Sequence, residues 1–264
     1  MFPKLISIGQ FFLPTYGVLV ALGFLAGLWI TLRLAKRAGL PHETITNLAI
    51  YCALAGLAGA KLFMILFDLD DYLRHPGTIF SFGTLQAAGV YQGGFLLAIV
   101  VAFWYMRRHK LPVLQTCDVF APGIAAGHVL GRLGCFAAGC CFGVVCDRPW
   151  AITFHNPEAH DLVGVPLGIP LHPTQLYEAL TELLIFGILY WHIRRPHAAG
   201  ETFGLYLVLY SVARFAVEFF RFHEQALHFN LSLTQWISLA TLLAGVWLML
   251  SRRHAPKLVL SRPT

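Results

Sequence analysis

Seven apolar runs dominate the chain and leave it few ways to fold. They lie at Thr15–Leu34, Asn47–Phe67, Val90–Met106, Val119–Ala138, Leu176–Ile193, Phe203–Phe220 and Trp236–Leu250. About 20 apolar residues in helical form cross the hydrocarbon of a bilayer, and a helix satisfies its own backbone polar groups there. The runs are therefore expected to be seven transmembrane helices, the fourth interrupted by glycines and the seventh short. The composition agrees. Hydrophobic residues make up 57% and charged residues 12% of the chain, where a soluble domain has about 45–50% and about 25%. The expected fold is an all-α polytopic membrane protein, with residues 1–264 forming a single transmembrane domain.

The cations fix an orientation. Arg33, Lys36 and Arg37 follow the first run, Arg107, Arg108 and Lys110 the third, and Arg194 and Arg195 the fifth. Arg252, Arg253, Lys257 and Arg262 follow the seventh. The opposite side holds only Lys4, Arg74, Arg148 and Arg221. Short cytoplasmic loops carry the excess of Lys and Arg, so the N-terminus is expected outside and the C-terminus in the cytoplasm. This placement accounts for the net charge of +6 without a nucleic-acid partner, and it suits a lipid bilayer with anionic headgroups. The start, MFPKLISIGQFF, lacks the basic segment, long apolar core and small-residue cleavage site of a signal peptide.

Between the fourth and fifth runs, residues 144–170 contain Pro149, Pro157, Pro166 and Pro170. Prolines at that density exclude a continuous helix, and Trp150, Phe154, Val163 and Val165 favour an ordered outer loop or cap. Asp68, Asp70 and Asp71 are expected in a solvated outer turn.

Charges inside the apolar runs are where chemistry is expected, because an arginine in hydrocarbon costs roughly 2.5–3.5 kcal/mol and normally faces a protein interior or a wet cavity. His128, Arg132 and Cys135 stand at i, i+4 and i+7 and share one helix face. Tyr210, Arg214, Glu218 and Arg221 form a second stripe. Arg214 and Glu218 are either an internal ion pair that fixes packing or, with Arg132 and Arg221, part of a cationic pocket for phosphate, to which the planar guanidinium fork is suited. The run from His172 through Tyr177 and Glu178 opens a helix, with Thr174 as a candidate N-cap. Such an end favours anions, although Tyr177 also fits an interfacial aromatic belt. Gln92-Gly93-Gly94 either lets lipid or backbone approach closely or makes a tight turn. Tyr16 is a weaker signal.

Four of the six cysteines lie together as C-x4-C-C-x4-C, at Cys135, Cys140, Cys141 and Cys146. This is not the usual pairing of C-x2–4-C units in zinc sites, and no metal or cofactor is expected. A disulfide from Cys140 or Cys141 to Cys146 is one reading on an oxidising face; plain packing of small apolar side chains is the other. Cys52 and Cys117 are expected to be packing residues.

Taken together, Tyr16-Gly17, Gly59-Ala60-Lys61, Gly93-Gly94, Gly131-Arg132-Leu133-Gly134 with Phe136 and Gly143, the run His172–Glu178 and the run Tyr210–Arg221 resemble the bacterial prolipoprotein diacylglyceryl transferases over nearly the whole chain. The resemblance implies seven spans in the bacterial cytoplasmic (inner) membrane. It also implies transfer of the diacylglyceryl group from phosphatidylglycerol to the lipobox cysteine thiol of a prolipoprotein, with glycerol phosphate leaving. By that resemblance Arg132 and Arg214 hold the phosphate, Glu218 orients Arg214, and Tyr16 and Tyr210 position headgroup oxygens. Gln92, Gly93, Gly94, Gly143, Tyr177, Glu178 and Arg221 complete the binding set. The chain departs from the family pattern at Gln92, Cys135, Ala138 and Cys140, where the family carries His, Asn, Asn and Glu. Gln92 cannot act as a general base, which leaves His128 or His172 for that role. The alternative is a divergent paralogue: a lipid-handling enzyme with another acceptor, or a thiol-redox membrane protein without this activity.

Overall fold

All seven apolar runs are helical in the computed structural model, which describes residues 2–8, 11–81, 84, 89–221 and 229–258. The long helices are α1 (Thr15–Arg37), α2 (His42–Phe67), α4 (Tyr91–Arg108), α5 (Val113–Ala138), α7 (Thr174–His192), α8 (Glu201–Glu218) and α9 (Leu233–Arg252). Among the described residues the short helices are α3 (Leu69–Arg74) and α6 (Pro157–Val163), and Pro76–Phe80 forms a 3₁₀ turn. Among the described residues four helices, α1, α2, α5 and α9, are long and apolar enough by length and composition to cross a membrane. The protein is an all-α membrane protein. Asp70 and Asp71 lie in α3 rather than in an open turn, and both are exposed. Arg262, counted among the basic residues after the seventh run, lies outside the described residues.

Two compact units divide the chain: residues 39–116, and residues 1–38 together with 117–264. In the smaller, α2 and α4 pack along small residues, the usual device where lipid removes any hydrophobic drive between helices. A Cβ on Gly93 would sit 2.6 Å from the Gly59 carbonyl oxygen, and one on Gly94 would sit 2.6 Å from that of Gly56. The backbone N–H of Val90, just before α4, donates to the Ala60 carbonyl at 2.9 Å.

Small residues play the same part between α1 and α5 in the larger unit. A Cβ on Gly27 would lie 2.5 Å from the Gly123 carbonyl oxygen. Ala121 and Ala125 of α5, Ile185 and Leu189 of α7 and Tyr206 of α8 form one buried cluster. Asp118 of α5, 1% exposed, fixes α8: its carboxylate accepts from the backbone N–H of Gly200 at 2.6 Å and of Phe203 at 2.7 Å. Those are two of the N–H groups that a helix start leaves without partners. Helix α9 begins with a capping box: the Ser232 hydroxyl accepts from the Gln235 N–H, and the Gln235 side chain accepts from the Ser232 N–H.

Among the described residues six short strands form three antiparallel pairs: β1 (Lys4–Ile8) with β2 (Phe11–Pro14), β3 (Ile152–Thr153) with β4 (Pro170–Leu171), and β5 (His197–Ala198) with β6 (Lys257–Leu258). The β3–β4 pair belongs to a folded segment between α5 and α7. Its core is Phe154, Ala159, Val165 and Leu171, with Phe136 of α5 packed against it. Inside that segment α6 is capped by the Asn156 side chain, which accepts from the Glu158 N–H at 2.9 Å.

Candidate active site

Three backbone crossings build the site. The N–H of Gly143 donates to the His172 carbonyl at 3.0 Å, that of His172 to the Val144 carbonyl at 3.0 Å, and that of Val144 to the Phe220 carbonyl at 2.9 Å. They tie the turn after α5 to the start of α7 and the end of α8. A Cβ on Gly143 would come within 2.7 Å of the His172 Cβ, so the crossing needs glycine there. Arg221 lies opposite Gly143 as an isolated β-bridge. It is therefore not on the helical stripe with Tyr210, Arg214 and Glu218, because α8 stops at Glu218 and the chain turns. That turn carries Arg221 across to Glu178.

Glu178, 5% exposed, is the centre of the ionic network. Its Oε2 lies 2.6 Å from Nη2 of Arg132, and its Oε1 lies 3.4 Å from Nη1 of Arg221. Arg132 also donates from Nε to Nε2 of His128 at 3.0 Å, while Nδ1 of His128 lies 2.9 Å from Oε1 of the buried Glu182. The first bond makes Nε2 an acceptor, so the proton sits on Nδ1 and is donated to Glu182. The His128 ring lies 5.9 Å from that of Tyr210 on α8. One turn later Arg214 is paired with Glu218, whose other oxygen accepts from the Ser232 hydroxyl at 2.8 Å.

The arginines are thus not bare cations: each has a carboxylate. A guanidinium nevertheless has five N–H donors, and one carboxylate plus one ring nitrogen do not exhaust them. His172 is hydrogen-bonded through Nδ1 to the Tyr177 hydroxyl at 3.0 Å and lies 5.1 Å, ring to ring, from Phe220. Tyr16, in the first turn of α1, packs on α5: a Cβ on Gly134 would meet its ring at 3.2 Å. Gln92, Gly93 and Gly94 lie on α4 in residues 39–116, with Gln92 exposed and both glycines used against α2. Beside α8, an apolar cavity of about 520 Å³ runs along Phe215, Phe219 and Phe220 and, on α9, Ser238, Leu239 and Leu242.

The cysteines depart most from expectation. All six are free thiols, and Cys146 sits buried with its N–H on the Pro170 carbonyl. The sulfurs that converge are those of Cys135, Cys140 and Cys141, all within 4.8 Å of one another. A left-handed turn at Gly139 (φ +86°) and Cys141 (φ +61°) folds the chain back on the end of α5. Two fully buried side chains of α7 hold that turn. The Thr174 hydroxyl donates to the Cys141 carbonyl and the Gln175 amide to the Cys140 carbonyl, each at 2.7 Å. Thr174 is therefore the first residue of α7 and not its N-cap, which is Pro173. Hydrogen bonds from Cys135 and Cys140, then the charges of Arg221 and Arg132, hold the Cys141 thiol well below the usual thiol range against its burial.

Comparison with known proteins gives one consistent result. The family described as "Prolipoprotein diacylglyceryl transferase" matches residues 3–251. Among similar proteins, one from Clostridium tetani is 32% identical over 88% of this chain and 90% of its own length. One from Methylobacillus flagellatus is 33% identical over 94% and 95%, and one from Sodalis glossinidius is 33% identical over 96% and 94%. Each is named phosphatidylglycerol–prolipoprotein diacylglyceryl transferase.

Proposed function

Because this chain belongs to the prolipoprotein diacylglyceryl transferase family, we propose that it carries the diacylglyceryl group from phosphatidylglycerol to the lipobox cysteine thiol of prolipoproteins. The enzyme is a transferase of lipoprotein maturation, and it works as a seven-span protein of the bacterial cytoplasmic (inner) membrane, N-terminus outside and C-terminus in the cytoplasm. The carbon–oxygen bond between the diacylglyceryl carbon and the phosphate breaks, a carbon–sulfur bond forms, and glycerol phosphate leaves with the bonding electrons.

The observation that carries this reading is the convergence of Arg132 and Arg221 on one buried carboxylate, Glu178. Glu178 holds both guanidinium groups in place before substrate arrives, and preorganised cations aimed at developing charge stabilise a departing phosphate. Arg214, fixed by Glu218 one turn after Tyr210, supplies a further cation. Tyr16, Tyr177, Tyr210 and Gly143 complete the headgroup site, and the apolar cavity along α8 and α9 suits an acyl chain. His128 and His172 are the candidate bases. His128 is engaged through both ring nitrogens, by Arg132 and Glu182, and His172 through one, by Tyr177. His128 takes a proton on Nε2 only if Arg132 swings toward the phosphate. Gln92, Gly93 and Gly94 take part as binding residues in the family reading.

Complementation tests the activity. A strain deprived of its own transferase should grow on the wild-type chain and fail on Arg132→Ala or Arg214→Ala at equal membrane expression. Failure of the wild-type chain, when well expressed in the membrane, would reject the reading.

A further inference from the structure

The three-thiol cluster has no part in the phosphate chemistry, yet the fold goes to some length to make it. Cys135 lies in the last turn of α5, and Cys141 itself adopts the left-handed conformation, uncommon for a side chain larger than glycine. Thr174 and Gln175, both fully buried, clamp the two carbonyls that set this turn. Packing alone needs none of this. Zinc binds thiolate at about 2.3 Å, so tetrahedral ligands stand about 3.8 Å apart. Sulfurs already within 4.8 Å of one another reach that spacing by small rotations about χ1. Soft thiolates select Zn(II), Cu(I) or iron–sulfur clusters over hard cations. Three thiolates around Zn(II) leave one net negative charge.

We propose that Cys135, Cys140 and Cys141 bind a zinc ion through three thiolates, and that the open fourth position takes the thiol to be alkylated. Three protein ligands with one open position are the arrangement of catalytic rather than structural zinc. The second half of the proposal rests on the transferase reading. A thiol that coordinates zinc is deprotonated outright, so the acceptor then needs no general base. On coordination the acceptor S–H loses its proton to water at the membrane face. Its sulfur then attacks the diacylglyceryl carbon as the carbon–oxygen bond breaks and glycerol phosphate departs. The thioether product carries no charge, binds zinc weakly and leaves. Nothing is oxidised or reduced.

Metal binding tests this without recourse to turnover. The full-length protein, purified in detergent with reductant and stripped with chelator, is titrated with Zn(II) and separately with Co(II). The expected result is stoichiometric uptake, with thiolate-to-cobalt charge-transfer absorption. A lipobox peptide should shift that absorption, and the same peptide with serine for cysteine should not. Cys135→Ser, Cys140→Ser and Cys141→Ser should each weaken zinc binding by more than about 100-fold, beyond the roughly 10–100-fold that loss of an outer hydrogen bond costs. Gln175→Leu should fall in that lower range, and Cys52→Ser should change nothing. No uptake by the wild-type protein, or uptake unchanged in the three serine variants, would overturn the site. Uptake with no response to the peptide thiol would overturn the open position. Transfer that proceeds at full rate in chelator would remove the zinc role and leave the transferase reading standing. Zinc bound and answering the peptide, with no transfer, would keep the site and sink that reading instead.

Discussion

Removing Glu178 should cost more than removing either arginine it holds. Its two oxygens serve Arg132 at 2.6 Å and Arg221 at 3.4 Å, and its side chain is 5% exposed. Breaking a buried ion pair by deleting one member typically costs about 3–5 kcal/mol, because the other charge is left without compensation. Here two charges are left, but Arg132 and Arg221 keep 15% and 20% side-chain exposure, and water reaching them screens part of the loss. Glu178→Ala is therefore expected to lose about 2–4 kcal/mol. Glu178→Gln keeps an acceptor for Arg132 but no charge. A neutral hydrogen bond is about half as strong as a charge-assisted one, so the loss should be about 1–2 kcal/mol. A cycle of Glu178→Gln with Arg132→Met isolates the pair, and a coupling of about 1.5–3 kcal/mol is expected for residues in direct contact. Unfolding of the detergent-purified protein by rising denaturant, followed by tryptophan fluorescence, reads all four corners. A Glu178→Ala protein within about 0.5 kcal/mol of wild type, the range of an ordinary surface change, would refute the network.

Other outcomes follow from the same contacts. Asp118→Ala strips two backbone N–H groups at the start of α8 of a charged acceptor. Hydrogen bonds to charged groups contribute about 1.5–3 kcal/mol each, so a loss of about 3–5 kcal/mol is expected, with Asp118→Asn losing about half; a thermal melt within 2 °C of wild type would contradict this. Ser232→Ala removes the α9 cap and the hydroxyl on Glu218, which should cost about 1–2 kcal/mol and lower transfer by loosening the carboxylate behind Arg214. Gly123→Leu should block the approach of α5 to the Gly27 carbonyl and abolish stable expression, while Gly187→Ala, with open space around it, should express as wild type.

Hydropathy spacing was enough to read the helices, because length and apolarity are local properties of each run. His128, Arg132 and Glu178 were also legible, since a charge in an apolar segment needs a partner. What could not be read was which partner: Arg221 looked like a continuation of the Tyr210–Glu218 stripe until α8 stopped and the chain crossed to Gly143. Asp118 lies one residue before the apolar run, and its role as a distant helix cap has no sequence signal at all. The Ser232-x-x-Gln235 capping box did carry a signal, of the usual Ser-x-x-Gln form before an apolar run. The thiol cluster has no signal in C-x4-C-C-x4-C, because the left-handed backbone at Cys141 folds the first three cysteines together and leaves Cys146 outside the cluster, buried with its N–H on the Pro170 carbonyl.

The central claim is that clustered arginines bind a phospholipid headgroup for transfer to a thiol. The purified chain, reconstituted in vesicles containing phosphatidylglycerol, should release glycerol phosphate in equal amount to the lipobox peptide it lipidates, and Arg132→Ala should lower that rate by about 100-fold or more, the scale of losing one preorganised donor to developing charge. Glycerol phosphate release that is independent of the peptide thiol, or an Arg132→Ala protein that transfers at the wild-type rate, would contradict it.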